Sequence, residues 1–215
     1  MMDARRWLPL SGLVFVILVL VAVIGLGGDT PETKAPGAEV VAFYNDEDWR
    51  QGIAAFVWAA SIPFLVFFAV SVATAVRSAD VREVWQRVLI GGSVLTGATL
   101  ALLSAVHFAL TDGATNDASP AALQALNLVD GNGWVAFNAG LGVMMLGAAG
   151  CLISHPRSYR WLGRIALVLG IALFIPFADF FALILTLVWI IVVSVMLFRD
   201  ATATGPAISE ATGAG

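Results

Sequence analysis

Long apolar runs separated by short polar stretches set the reading of this chain. The longest run lies between Arg164 and Arg199, 34 residues in which the one charge is Asp179. A helix crossing a bilayer needs about 20 apolar residues, so the run suits two short helices and a turn. A continuous helix there would be about 50 Å long, against a hydrocarbon core of about 30 Å. Pro176 lacks an amide donor and Asp179 carries a charge that is cheapest at the bilayer surface; both sit mid-run. The pattern predicts a hairpin that crosses to about Phe177, turns at Ala178-Asp179-Phe180 and returns to Phe198. Asp179 is then expected in the outer headgroup region, open to a membrane-impermeant reagent.

Four more apolar runs precede the hairpin, at about 7–27, 51–76, 88–110 and 134–153; the hairpin supplies 161–177 and 180–198. The prediction is an all-α, six-helix integral membrane bundle over 1–199. Pro63 falls near the middle of the second span, where neighbouring helices can satisfy the carbonyl it frees. The first run is longer than the 7–15 apolar residues typical of a signal peptide. It also lacks an A-x-A site before Asp29, so it is expected to be retained. The polar stretches 28–50 and 111–133 read as loops. In the second, Ser119-Pro120 reads as an N-cap with proline at N1. Apolar positions 122, 123, 126 and 129 follow at helical spacing, predicting a short helix on the outer surface, ended by Gly131 and Gly133. The Ala-, Thr- and Gly-rich tail 200–215 is expected to be disordered.

Charge orients these spans. With the N-terminus in the cytoplasm, Arg5, Arg6, Arg77, Arg82, Arg87, Arg157, Arg160, Arg164 and Arg199 fall inside, and only Lys34 and Arg50 outside. The positive-inside rule then predicts both termini in the cytoplasm and a plasma-membrane location. Trp7, Trp49, Trp85, Trp134 and Trp161 fall at span ends, where amphipathic rings settle; Tyr44 and Trp49 read as interfacial anchors.

Composition agrees. The chain is 60% hydrophobic and 12% charged, against about 25% charged for soluble domains. A net charge of -4 leaves no basic surface for nucleic acid. The expected partners are the lipid bilayer and either another protein or a small-molecule or lipid ligand; oligomeric state stays open. Cys151 is the single cysteine, so no internal disulfide forms.

Candidate chemistry is sparse. His107 is the histidine well inside a span, near its outer end, and ionisable groups within a membrane are functional candidates. Ser104 lies three residues earlier on roughly the same face, and Asn138 near the outer end of the fourth span could face His107. His107, Asn138 and Ser104 form the candidate polar site, and His107→Leu is expected to leave expression and insertion intact. The second histidine, His155, falls at the opposite face, so the two cannot share a haem iron or a metal ion, and no cofactor is expected. Asp46-Glu47-Asp48 could draw a cation or a basic partner, but lacks a shaped calcium loop and reads as solvated. Small residues at four-residue spacing, Ser93, Gly97, Ala101 and Ala105, with Ala136-Gly140 and Gly147-Cys151, read as internal helix packing. Arg6-Trp7-Leu8 and Arg160-Trp161-Leu162 follow from boundary chemistry without an internal repeat. No G-x-S-x-G, H-E-x-x-H or Walker loop is present.

Two function classes follow. The first is a non-enzymatic membrane protein, a small transporter-like bundle or a membrane partner or scaffold. The second is a small membrane enzyme with an outer-leaflet site around His107 and Asn138. A polar cavity reaching both residues favours transport or catalysis; a filled bundle favours the partner role.

R-x-x-RWLG followed by FFALILTLVWIIVVSVMLFR, with AFYNDEDWRQGIAAF and ALQALNLVDGNGWVAFNAGLGV, resembles an uncharacterised family of small bacterial multi-pass membrane proteins. The likeness covers nearly the whole chain. It implies a six-helix membrane fold and supplies no activity or catalytic residues. The first loop here is more acidic than that family's.

Overall fold

The computed structural model describes residues 4–75, 83–154 and 159–203. The expectations for the tail beyond 203, for Arg77, Arg82 and Arg157, and for His155 fall outside the described residues. The described residues form helices, turns and bends, with no strand among them.

A short helix α1 (Ala4–Trp7) leads through a 3-10 turn (Leu8–Leu10) into α2 (Ser11–Leu20), which continues as π-helical turns over Val21–Gly27. Then come α3 (Gly37–Asp46), α4 (Asp48–Ala75), α5 (Glu83–Thr115), α6 (Pro120–Asn132), α7 (Trp134–Ile153), α8 (Arg160–Ala172) and α9 (Ala178–Ala203). Five stretches are long and apolar enough to cross a membrane: Leu8–Gly27, Asp48–Ala75, Glu83–Thr115, Pro120–Ile153 and Ala178–Thr202. The expected fifth span is shorter: α8 has 13 residues, about 20 Å at 1.5 Å per residue, less than the bilayer core. Pro63 lies inside α4, which runs through it.

The long helices close into a ring in chain order. The first stretch packs on α4, α4 on α5, α5 on α7, α7 on α8, α8 on α9, and α9 returns to α2. One continuous apolar cluster fills the ring, from Phe15 and Phe68 through Met144 and Met145 to Trp189 and Ile190. Glycine sets the tightest seam. Cβ atoms on Gly147 and Gly140 would fall 2.3 Å and 2.8 Å from the backbone nitrogens of Leu89 and Thr96. The glycines recur seven residues apart, as antiparallel helices in close contact need. Gly97, Gly140 and Gly147 therefore serve internal packing, as their spacing predicts, whereas Ala101, Ala105 and Ala136 of the same series are exposed.

The same register carries past the apolar zone. Gly133 abuts Leu103 and Gly113 abuts Leu123, so α6 and α7 run almost in line against the whole of α5. The predicted N-cap forms, with Ser119 Oγ accepting from the Ala122 amide at 3.3 Å. Helix α6 ends at Asn132 with Gly133 as its C-cap, as expected, though Gly133 keeps right-handed helical geometry and α7 follows directly. The stretch 28–50 is not simply a loop. Gly37, Val40 and Tyr44 form the buried side of α3, which packs on α6 around Leu110, Ala114 and Leu123. Asn127 Nδ2 donates to Glu32 O at 2.9 Å and Gln124 Nε2 to Ala35 O at 3.2 Å. The two polar stretches thus fold together into a small cap over one end of the bundle.

The C-terminal hairpin forms with its turn four to five residues earlier than expected. Helix α8 ends at Ala172, and residues 173–177 make the turn. Proline 176 disfavours helix at the residue before it, and Phe177 has φ 69°. Asp179 is not the apex. It occupies the first turn of α9, where free amides and the helix dipole favour an acid. It is only 5% exposed, while Phe177, Phe180 and Phe181 beside it are 91%, 62% and 66% exposed. The carboxylate is thus buried in protein rather than open at the turn, where it was expected.

Candidate functional site

The cap meets the bundle at His107. The ring is 2% exposed and is gripped from three elements besides its own. Gln51, fully buried in the first turns of α4, places Oε1 2.9 Å from His107 Nε2. Asp130 of α6 places Oδ2 3.0 Å from His107 Nδ1. Tyr44 of α3 meets the imidazole edge-on at 5.6 Å, and Trp58 of α4 lies tilted at 5.3 Å.

The polar chain fixes its own protons. Gln51 Nε2 donates to Gly27 O at 2.8 Å and lies 3.4 Å from Leu26 O, carbonyls left over where the first helix ends. Only the amide nitrogen can face a carbonyl, so Oε1 faces the ring, and His107 Nε2 must carry a proton. Nδ1 is engaged in turn by Asp130 Oδ2, so both ring nitrogens have a protein partner. The Asp–His relay in which Nε2 acts as base is therefore absent here.

Tyr44 Oη and Asp130 Oδ1 are buried with no hydrogen-bond partner. Burial, and then the charge of Asp130, push the Tyr44 hydroxyl well above its ordinary value near 10. Tyr44 is fully buried, so the reading of it as an interfacial anchor is corrected. Trp49, 66% exposed, fits that role.

The three candidate residues do not converge. Ser104 Oγ donates to Leu100 O at 2.8 Å within α5. Asn138 is five residues beyond Gly133, which abuts Leu103. That register puts Asn138 about 13 Å below His107 along the bundle. Asn138 instead donates from Nδ2 to Asp179 Oδ2 at 3.3 Å. Two outer grooves mark the α4–α5 seam. One, of about 350 Å³, lies between Trp49, Ile53 and Asp112; the other, of about 280 Å³, lies between Ala59, Ser104 and Ala105. His107 lines neither. Among the described residues no group of three or more His, Cys, Asp or Glu could hold a metal ion.

Sequence reasoning missed Gln51 and the pairing of Asp130. Gln51 was legible as the lone amide among apolar residues at the start of a span. The Gly37, Val40, Tyr44 spacing signalled α3. No protein-family model, curated protein or solved structure matches this chain.

Proposed function

We propose that this chain is a non-enzymatic, multi-pass protein of the plasma membrane that serves as a membrane partner or scaffold. In this reading it crosses six times with both termini in the cytoplasm, and it belongs with the small bacterial membrane proteins it resembles. The observation that carries the reading is the engagement of both His107 ring nitrogens by Gln51 and Asp130. That network joins the first span, α4, α5 and α6 and clamps the cap onto the bundle. The cap then presents an acidic outer surface, including Asp46 and Asp48, to a partner.

Reporter fusions at Gly215 and within 29–48 test the topology: they should lie on opposite sides, and a Gly215 fusion on the outside would overturn it. Purification in a mild detergent tests the role. A stoichiometric protein partner, lost when Asp46 and Asp48 are made neutral, is expected. A chain that purifies alone with a bound small molecule would favour a second reading, a transporter-like bundle, which the buried carboxylate of Asp179 recommends.

A further inference from the structure

The Asp179–Asn138 pair joins two buried polar side chains through a single hydrogen bond. Asp179 lies in the first turn of α9 and is 5% exposed; Asn138 on α7 is 2% exposed. The Asn138 amide gives one hydrogen bond to Asp179 Oδ2, at 3.3 Å, and no other side chain among the described residues reaches the carboxylate. Asn138 Oδ1 is buried with no partner at all. A buried carboxylate held by one hydrogen bond thus lies beside an amide whose own oxygen has no partner, and a flip of that amide turns the oxygen toward the carboxylate.

Besides the amides of the first turn of α9, no charged side chain on the neighbouring elements balances the carboxylate. Helix α7 carries no charged residue and α2 has none. On α8 and α9 the other charges are Arg160, Arg164, Arg199 and Asp200, at the far ends from the turn. On α4, also packed on α9, Asp48 and Arg50 sit at the outer tip, level with the cap. A carboxylate so placed is costly unless neutralised. Hard cations choose oxygen ligands of this kind.

We propose that Asp179 and Asn138 form an intramembrane site for a small monovalent cation, H⁺ or Na⁺. Asp179 supplies the charge, and Asn138 Oδ1 supplies a second oxygen, as a ligand to Na⁺ or as the acceptor of a carboxyl proton. The site does not rest on the partner reading, and its test is read on the isolated chain.

The experiment is thermal unfolding of the full chain in mild detergent. Na⁺ is exchanged for choline at constant ionic strength, and pH is varied separately. The wild-type midpoint should rise with Na⁺ if Na⁺ is the occupant, or with falling pH if the proton is, and Asp179→Asn should lose that response. The His107–Asp130 pair contributes equally to both proteins and cancels in the comparison. Should Asp179→Asn fail to fold, Asn138→Ala keeps the charge and removes one oxygen. It should raise the half-saturating cation concentration by about tenfold. Identical Na⁺ and pH responses in wild type and Asp179→Asn, or in wild type and Asn138→Ala, would overturn the site.

Discussion

His107 and Asp179 are both buried ionisable residues near the same end of the bundle, and the fold treats them in opposite ways. The His107 ring has a partner at each nitrogen, and its amide partner is anchored in turn on Gly27 O. Asp179 has one long hydrogen bond from an amide whose other end is unpaired. A polar network satisfied at every ring atom fixes geometry; a pair left short of donors has room for a ligand. On the proposed reading His107 is a fastener, while Asp179, expected at the surface, lies buried with one hydrogen bond.

The contrast breaks most visibly at His107. His107→Leu leaves Gln51 Oε1 and Asp130 without their partner and should cost about 3–5 kcal/mol, as removing one member of a buried pair does. This reverses the expectation that the replacement is harmless. Chemical denaturation in detergent measures it, and hydrogen exchange should rise first over α3 and α6. An unchanged stability would mean the ring does not clamp the cap.

The α5–α7 seam sets the height of both sites, and Gly147→Ala tests it. The added Cβ would meet the Leu89 backbone at 2.3 Å, where a rigid main chain cannot step aside. A loss of about 1–3 kcal/mol is expected by the same denaturation. A neutral outcome would show that the helices slide freely.

At Asp179 the expected change in stability is smaller. Asp179→Asn keeps the shape and the bond from Asn138 while removing the charge, so the folded state should lose less than about 1 kcal/mol. Placement gives the sharper readout. In a Cys151→Ala background, Asp179→Cys should stay unlabelled by a membrane-impermeant thiol reagent, while Asp29→Cys labels. Rapid labelling at position 179 would return that residue to the headgroups.

The smallest effect lies in the tyrosines. Burial raises both Tyr44 and Tyr159 above the usual value near 10, helped by the charge of Asp130 for the first and by the hydrogen bond and charge of Asp200 for the second. The folded chain holds these protons more tightly than the unfolded one. The stabilisation is therefore complete below about pH 10 and is lost as pH rises above it. Ultraviolet titration of the folded protein should show no phenolate at pH 10; ionisation of Tyr44 there, read in a Tyr159→Phe background, would mean that the cap is open.

Composition and apolar run length were enough to read a helical membrane protein, because a bilayer admits few backbone solutions. Of six spans read, five stretches have sufficient length, and the N-cap at Ser119 and a C-terminal hairpin followed from local pattern. The turn's position did not. Asp179 was read as an apex from its solvation cost alone, whereas its place in the first turn of α9 depends on what faces it across the bundle. The His107 site was half legible. An intramembrane histidine announces itself, but its partners Gln51 and Asp130 are 56 and 23 residues away. Their meeting depends on the register of α4 and α6 against α5. That register is set by glycine contacts spread over the whole length of the helices. Hydrophobic periodicity records which face of a helix is buried, not how far one helix is shifted along another. For that reason the sequence determined the class of molecule, and only tertiary packing decided that Asn138 meets Asp179 rather than His107.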